Sequence, residues 1–248
     1  MTTIPIYRPV LCLPKSGSTS LTQWLEASGR PARHECNTLA VLQLAALRRR
    51  PDYPLRRRLW LQARAVELAG ACDVNTALYA VLLPSDQPSW SSEGLAASGV
   101  EPQWLCRSPR PWLLSCIGWS LRFGADPHRR RWLQLHRGFV EACSTELAAT
   151  MPADPASTEA LLRFWLPVWL AFVQQALDVS QALGRPYRLT DQLPPQHHAN
   201  ASAMAPELRR GFEVLVPPLP ALQGDAAADR DCLAQCRRWW AQLACSSG

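Results

Sequence analysis

The sequence almost entirely lacks lysine. Of its 26 lysine and arginine residues, one is a lysine, Lys15, and all the others are arginines. Arginine carries a planar, permanently charged fork, whereas the lysine ammonium is a compact point charge on a flexible stem. A chain that uses arginine everywhere else indicates that position 15 requires the geometry of lysine; the alternative is that a lone lysine stands there by chance.

The sequence also lacks the cysteine patterns of disulfide frameworks and zinc sites. Its nine cysteines are an odd number, with no Cys-x-x-Cys pair and no cluster of cysteine and histidine at zinc-ligand spacing. This usage is typical of reduced thiols in a cytosolic protein. Cys232 and Cys236 lie four residues apart, and we interpret them as two thiols on one helix face rather than as a metal pair.

Long apolar runs and targeting signals are scarce as well. The longest apolar run, at 164–173, contains Pro167 and has about half of the ~20 residues that span a bilayer. Residues 1–10 lack the charged start and apolar stretch of a secretory signal. We therefore expect a cytoplasmic protein with no membrane partner. A hydrophobic content of 48% suffices for one packed core, so we expect a single domain over residues 1–248.

Short apolar segments alternate with helical patterns along the chain. The patterns predict strands within 9–13, 30–35, 73–83, 102–107 and 185–193. They predict helices around 21–28, 37–47, 55–71, 108–124, 130–150, 157–183 and 228–243. Short strands alternating with helices are typical of a parallel sheet covered on both faces. The expected fold class is therefore α/β, helix-rich, with three α/β/α layers and a short parallel sheet.

Residues 10–25, VLCLPKSGSTSLTQWL, predict a strand, a small-residue loop and a helix. A loop that leads into a helix N-terminus forms an anion cradle, because unpaired backbone N–H groups and the helix dipole both face the ligand. An ATP-type loop has its lysine after the glycines, whereas here the lysine comes first. The residues of this cradle are Lys15, Ser16, Gly17, Ser18, Thr19 and Ser20.

The pattern P-K-S-G-S-T-S-L in this loop resembles the 5′-phosphosulfate loop of sulfotransferases, whose usual form is P-K-[ST]-G-[ST]-[TS]. That family uses 3′-phosphoadenosine 5′-phosphosulfate (PAPS) as sulfuryl donor and releases adenosine 3′,5′-bisphosphate (PAP). The resemblance implies a P-loop NTPase-like sulfotransferase fold in which the cradle binds the 5′ end of PAPS. Lys15 would then neutralise charge on the leaving oxygen, and no metal would be required.

A second motif, LCRSPRPWLLS at 105–115, resembles the family's 3′-phosphate motif of an arginine at a strand end and a serine eight residues on. Arg107 is expected at the carboxyl edge of a strand beside the first one, with Pro109 at the start of a helix and Ser115 along it. A guanidinium fork grips a phosphate with two hydrogen bonds, and a hydroxyl adds a neutral donor. The plain alternative is a capped helix with an exposed arginine.

A third, looser match is RPYRLTDQLPP, which resembles the strand and turn that sulfotransferases often carry as RYEDL after a long helix. We interpret Asp191 within it as structural. The resemblance covers most of the chain in layout, and its specific motifs are the first two.

An acceptor that attacks sulfur must lose a proton, so a base is expected near the loop. The segment PARHECN places His34 and Glu35 at the end of the second strand. Glycan sulfotransferases often have a glutamate in a comparable place, whereas cytosolic sulfotransferases of small molecules use a histidine from a different segment. We predict Glu35 as the base and His34 as its partner or rival. Alternation along a strand would put only one of them in the cleft, and a surface pair is the alternative.

For several further positions, the sequence allows either a functional or a structural role. Asn75 and Thr76 either line an acceptor pocket or cap a helix. The segment RRG at 209–211 superficially resembles the Arg-Lys-Gly segment that closes over the cofactor in animal cytosolic sulfotransferases, and we interpret it as an ordinary helix end. The remaining positions are aromatic or histidine side chains that either contact a ligand or lie in the core or a solvated loop: Trp90, Trp119, His197 and His198.

Arginine clusters at 48–50, 56–58 and 129–131 and a net charge of +6 indicate an anionic ligand or partner, or else solvated helix faces. The predicted function is transfer of a sulfuryl group to a hydroxyl or amine of a small-molecule or glycan acceptor, with an acidic acceptor favoured by the clusters. The alternatives are an inactive nucleotide-binding protein, an arginine-rich protein that binds nucleic acid or another polyanion, and an atypical P-loop kinase.

Overall fold

The structure is a computed structural model that describes residues 6–68, 70–82, 99–124, 126–184, 186–193 and 206–245. The chain divides into two compact units. The first holds Met1–Cys106 and Val179–Ala199, and the second holds Arg107–Asp178 and Asn200–Gly248. That residues 1–248 act as a single domain stays a prediction.

The first unit contains a five-stranded parallel sheet with the strand order β2-β3-β1-β4-β5. Each segment predicted to hold a strand does hold one. The strands are β1 (Arg8–Cys12), β2 (Ala32–His34), β3 (Cys72–Asn75), β4 (Gln103–Cys106) and β5 (Arg188–Leu189). Val10 of β1 is in register with Val74 of β3 on one side and with Gln103 of β4 on the other. β1 is therefore the central strand.

The helices of the first unit lie between the strands along the chain, and α1 and α4 pack on the sheet. They are α1 (Ser18–Ala27), α2 (Thr38–Ala46), α3 (Tyr53–Leu68) and α4 (Leu78–Leu82). α1 buries Leu21 and Leu25 against strand residues that include Val10 and Val74. This apolar contact fixes the N-terminus of α1 at the end of β1.

In the second unit, the described elements are helices. They are α5 (Pro109–Phe123), α6 (Pro127–Cys143), α7 (Thr145–Ala149), α8 (Thr158–Leu183, within this unit as far as Asp178), α9 (Pro206–Leu215) and α10 (Ala226–Cys245). The predicted helix over 130–150 is two helices, because Ser144 is extended and its side chain caps α7 by accepting from the Leu147 N–H. The segment RRG lies inside α9, so its interpretation as a helix end was wrong.

Among the described helices, α8 alone is long and apolar enough, by length and composition, to cross a membrane. In its most apolar window, 78% of the residues are buried within the protein. Pro167 lies inside the helix and does not end it. These properties are compatible with the core helix of a soluble protein, and a cytoplasmic location stays a prediction.

The helix-rich α/β class and the short parallel sheet are confirmed, and the arrangement is consistent with three α/β/α layers. For the site, the important consequence is the direction of the strands. Parallel strands bring their carboxyl ends to one edge of the sheet, and β1 ends there between β3 and β4.

Candidate functional site

The loop after β1 has the predicted strand, loop and helix geometry. β1 ends at Cys12, and α1 begins at Ser18. Lys15 and Gly17 between them both adopt left-handed backbone conformations, with φ of 64° and 84°. The Gly17 carbonyl accepts the first helical bond, from the Leu21 N–H, at 2.9 Å. The N-cap residue of α1 is Gly17, which makes no side-chain cap hydrogen bond, and uncapped first amides of a helix suit an anionic ligand.

Thr190 contacts this loop from the end of β5, which is an edge strand of the sheet. The sequence did not single out this residue. Its Oγ1 lies 2.5 Å from the Ser16 carbonyl oxygen and 3.1 Å from that of Cys106, so one hydroxyl bridges the loop and the end of β4. A Cβ added at Gly17 would stand 2.9 Å from the Thr190 Cγ2. Glycine is therefore needed at position 17 for both its positive φ and this close approach.

His34, at the end of β2, faces the first turn of α1. Its Nε2 lies 3.0 Å from the Ser18 Oγ and 3.4 Å from the Thr19 Oγ1. The same Nε2 is 3.9 Å from the Glu35 Oε1. Glu35 lies just beyond β2 and has a φ of 53°, so strand alternation does not set the direction of its side chain; that only one of the two residues faces the cleft stays a prediction.

The Glu35 carboxylate is held by threonine donors. Its Oε1 accepts from the Thr76 N–H at 3.1 Å and from the Thr76 hydroxyl at 2.7 Å, and its Oε2 accepts from the Thr38 hydroxyl at 2.9 Å. A carboxylate offers about four lone-pair positions, so about one remains for a further donor. Thr76, predicted to line a pocket or to cap a helix, instead positions this carboxylate.

The hydroxyl, imidazole and carboxylate at this edge do not form a Ser-His-acid triad. In such a triad the acid binds the ring nitrogen opposite the one that meets the serine. Here the Ser18 hydroxyl and the Glu35 carboxylate both lie near Nε2 of His34. The arrangement therefore suits proton transfer beside an anion cradle better than attack by Ser18.

A buried ion pair supports the backbone next to Glu35. Arg64 and Asp73 are 2% and 0% exposed, and the Arg64 Nη2 donates to the Asp73 Oδ2 at 2.7 Å. The same nitrogen lies 3.2 Å from the Cys36 carbonyl oxygen, which also accepts from the Asn75 amide at 3.1 Å. Burial lowers the pKa of Arg64, but the nearby carboxylates of Asp73 and Glu67 together outweigh burial and raise the pKa above its ordinary value.

In the second unit, the structure brings Arg107 and Ser115 together. Arg107 is the residue after the last residue of β4, and β4 does pair with β1 as predicted. The Arg107 Nη1 donates to the Ser115 Oγ at 3.2 Å, and the Ser115 hydroxyl donates to the Pro111 carbonyl oxygen at 2.9 Å. The Arg107 carbonyl oxygen accepts from the Trp169 indole at 2.9 Å, which fixes the backbone of the arginine.

The other candidate positions carry no chemistry in the described residues. Cys232 and Cys236 are buried on α10, and no group of three or more metal-ligating side chains occurs in the part of the chain that the structure describes. Trp119 is partly buried and packs against the rings of Phe123 and Trp165. The remaining three candidates lie outside the described residues: Trp90, His197 and His198.

Comparisons of this chain with protein-family models, with curated proteins and with solved structures find no match.

Proposed function

We propose that this chain is a sulfotransferase of the P-loop NTPase-like fold, which transfers the sulfuryl group of PAPS to a hydroxyl or amine. The observation that carries the proposal is the loop after β1. The sole lysine of the chain, Lys15, lies in the loop between the central strand and α1. Close by is Gly17, where a larger residue would clash with the methyl group of Thr190. Such a loop suits an oxyanion, because it offers amides, hydroxyls and one mobile positive charge.

The position of the loop in the sheet supports a ligand site. In open parallel sheets, ligands bind outside the carboxyl ends of strands where the strand order reverses. The chain runs from β1 outward to β2, returns through β3, and then crosses to β4 on the opposite side of β1. The reversal therefore falls at β1, whose carboxyl end leads into the loop.

Each end of PAPS has its own candidate group of residues in the proposal. The amides and hydroxyls of the first turn of α1, with Lys15, would hold the 5′-phosphosulfate. Arg107 and Ser115 would hold the 3′-phosphate, because their hydrogen bond already places a charged fork beside a hydroxyl.

When bound, PAPS supplies the sulfuryl group and a leaving group, PAP. The acceptor oxygen or nitrogen forms a bond to sulfur while the bond from sulfur to the 5′-phosphate oxygen breaks in line. Lys15 stabilises the negative charge that develops on that oxygen. The acceptor proton goes to Glu35 or His34, which lie 3.9 Å apart next to the first turn of α1.

The proposal is tested by incubating the purified protein with PAPS carrying ³⁵S in the sulfuryl group and with phenols, amines, alcohols and oligosaccharides. We expect label on one acceptor class, and a loss of at least ~100-fold in Lys15→Ala with an unchanged unfolding temperature. PAP binding without transfer would mean an inactive nucleotide-binding protein. Absence of both transfer and PAP binding would exclude the proposal.

The same assay separates the two candidate bases. Glu35→Gln keeps the size of the side chain, and His34→Asn keeps a polar group near Ser18. A general base contributes about 10²- to 10⁴-fold to the rate. We expect Glu35→Gln to lose activity by such a factor while PAP binding is kept; a larger loss in His34→Asn than in Glu35→Gln would assign the base to His34.

A further inference from the structure

The second unit contains a cavity of about 610 Å³ that shares no residue with the candidate site. Its walls come from the end of α5, one face of α6, residues 153–156 and Phe164 of α8. Small-molecule sites typically measure about 300–1,000 Å³. The cavity is therefore large enough for a compact organic ligand.

A buried arginine without a buried counter-ion lines this cavity. Arg129 is 6% exposed, and its guanidinium donates to the Pro155 carbonyl oxygen. The carboxylate that pairs with it, Asp154, is 3.8 Å away and its side chain is 84% exposed. The Arg129 Nε has no hydrogen-bond partner in the described part of the chain. Buried charges are ordinarily paired, so this guanidinium leaves a positive potential inside the cavity.

Two further arginines of α6 add to that potential. Arg137 donates to the Met151 and Pro152 carbonyl oxygens and so fixes the segment that closes the cavity. Arg130 also lines the cavity, and its guanidinium has no ion pair among residues 6–68, 70–82, 99–124, 126–184, 186–193 and 206–245. The lining carboxylates are Asp154 and Asp126, and Asp126 already caps α6 by accepting from the His128 N–H at 2.6 Å.

The remaining lining includes an apolar wall, with Leu121, Leu133 and Phe164 as its larger side chains. We propose that this cavity binds an amphipathic organic anion, whose apolar body contacts that wall and whose carboxylate, sulfate or phosphate group meets Arg129 and Arg130. Of the arginine cluster at 129–131, Arg129 and Arg130 line the cavity, whereas Arg131 is exposed and lies outside the lining.

The probe for this site is 8-anilinonaphthalene-1-sulfonate, an apolar ring system with one sulfonate, followed by its fluorescence. We expect saturable binding of one probe per chain, displaced by p-tolyl sulfate at far lower concentration than by inorganic sulfate. Arg130→Gln should weaken binding about tenfold, because a hydrogen bond to a charged group is lost. Leu121→Ser should weaken it several-fold, because part of the apolar wall is lost.

Arg209→Gln on α9 is the matched control, since it removes the same charge from an exposed arginine outside the cavity. It should leave binding unchanged. Arg130 and Leu121 are exposed, so both variants should keep the unfolding temperature of the parent chain. No saturable binding, binding that Arg130→Gln and Leu121→Ser leave unchanged, or binding that Arg209→Gln weakens equally would each overturn the proposal.

Discussion

At the scale of single residues, the conformation of the loop after β1 depends on the close contact between Gly17 and Thr190. Gly17 leaves room for the Thr190 methyl group, and the Thr190 hydroxyl in turn binds the Ser16 carbonyl oxygen. Thr190 thereby fixes the loop through the carbonyl oxygen of Ser16. Gly17→Ala should disturb this loop twice, through the positive φ and through the 2.9 Å contact.

Gly29 separates these two effects, because it has a φ of +73° with nothing within 4 Å of an added Cβ. We expect Gly29→Ala to lower the free energy of unfolding by about 1–2 kcal/mol from backbone strain alone. Gly17→Ala should lose roughly 1–3 kcal/mol more from overpacking. Thr190→Ser in the Gly17→Ala background keeps the hydroxyl and removes the methyl group, so it should recover that second part. Denaturant unfolding of the three variants measures this, and equal losses in the two alanine variants would refute the contact.

The sequence predicted the loop but not the side chains that hold it. Lys15, Gly17 and the hydroxyls are contiguous, so the motif was visible. Thr190 and Thr76 lie far along the chain and meet the loop and Glu35 only because parallel strands share a carboxyl edge. A signal was present, since Thr76 directly follows β3 and Thr190 directly follows β5.

At the scale of elements, α3 is joined to β3 by the buried Arg64–Asp73 pair. Tyr7, preceding β1, donates its hydroxyl to the same Asp73 oxygen at 2.7 Å, and burial raises the pKa of Tyr7 well above its ordinary value. The tyrosine therefore remains a donor at any physiological pH. Arg64, which is fixed by Asp73, donates to the Cys36 carbonyl oxygen and so supports the segment that carries Glu35.

We expect Asp73→Asn to lower the free energy of unfolding by about 3 kcal/mol, because it leaves the buried Arg64 charge with the half-exposed Glu67 carboxylate as its remaining ion-pair partner. The comparison is Arg230→Gln, which breaks the Asp178 pair, whose side chains are 41% and 47% exposed. That change should stay under about 1 kcal/mol. Chemical denaturation gives both values, and similar losses in the two variants would contradict a structural role for the buried pair.

The sequence predicted the strand segments better than the ends of the helices. All five predicted segments hold a strand. The local pattern is clearest for β1, a short apolar run that ends before Pro14, and weakest for β2 and β5, which are short and carry charged residues. The errors lie at helix ends: Ser144 divides 130–150 because its hydroxyl caps a new helix, and α3 begins at Tyr53 with Pro54 in its first turn. Such ends depend on single capping contacts, which periodicity does not reveal.

At the scale of the whole molecule, stability should depend on pH through His136. This residue is 0% exposed, packed by the Trp132 and Trp165 rings, and burial lowers its pKa from 6.5 to about 3. The folded state thus binds fewer protons than the unfolded state between these values. The stability that neutral His136 contributes is fully present above pH 6.5. The free energy of unfolding then decreases as the pH falls towards 3, by about 1.4 kcal/mol per pH unit.

Unfolding temperatures of the parent chain and of His136→Leu between pH 4 and 7 measure this contribution. The parent should lose stability more steeply on acidification than the variant, whatever their difference at pH 7. His128→Gln is the control, since His128 is exposed on the same helix and its replacement should leave the slope intact. Parallel pH profiles for the parent and His136→Leu would show that His136 is not the group responsible.

The proposal that the chain is a PAPS-dependent enzyme requires Arg107 and Ser115 to bind the 3′-phosphate and Lys15 to act on the leaving oxygen. A bidentate arginine contact to phosphate is a strong charge-assisted interaction, and the leaving-group lysine acts mainly on the breaking bond. The most direct measurement is a calorimetric titration of PAP into the parent chain, Arg107→Gln and Lys15→Ala. We predict one PAP per chain, binding at least tenfold weaker in Arg107→Gln, and largely retained binding in Lys15→Ala. No heat of PAP binding to the parent, or equal affinity in Arg107→Gln, would contradict the assignment.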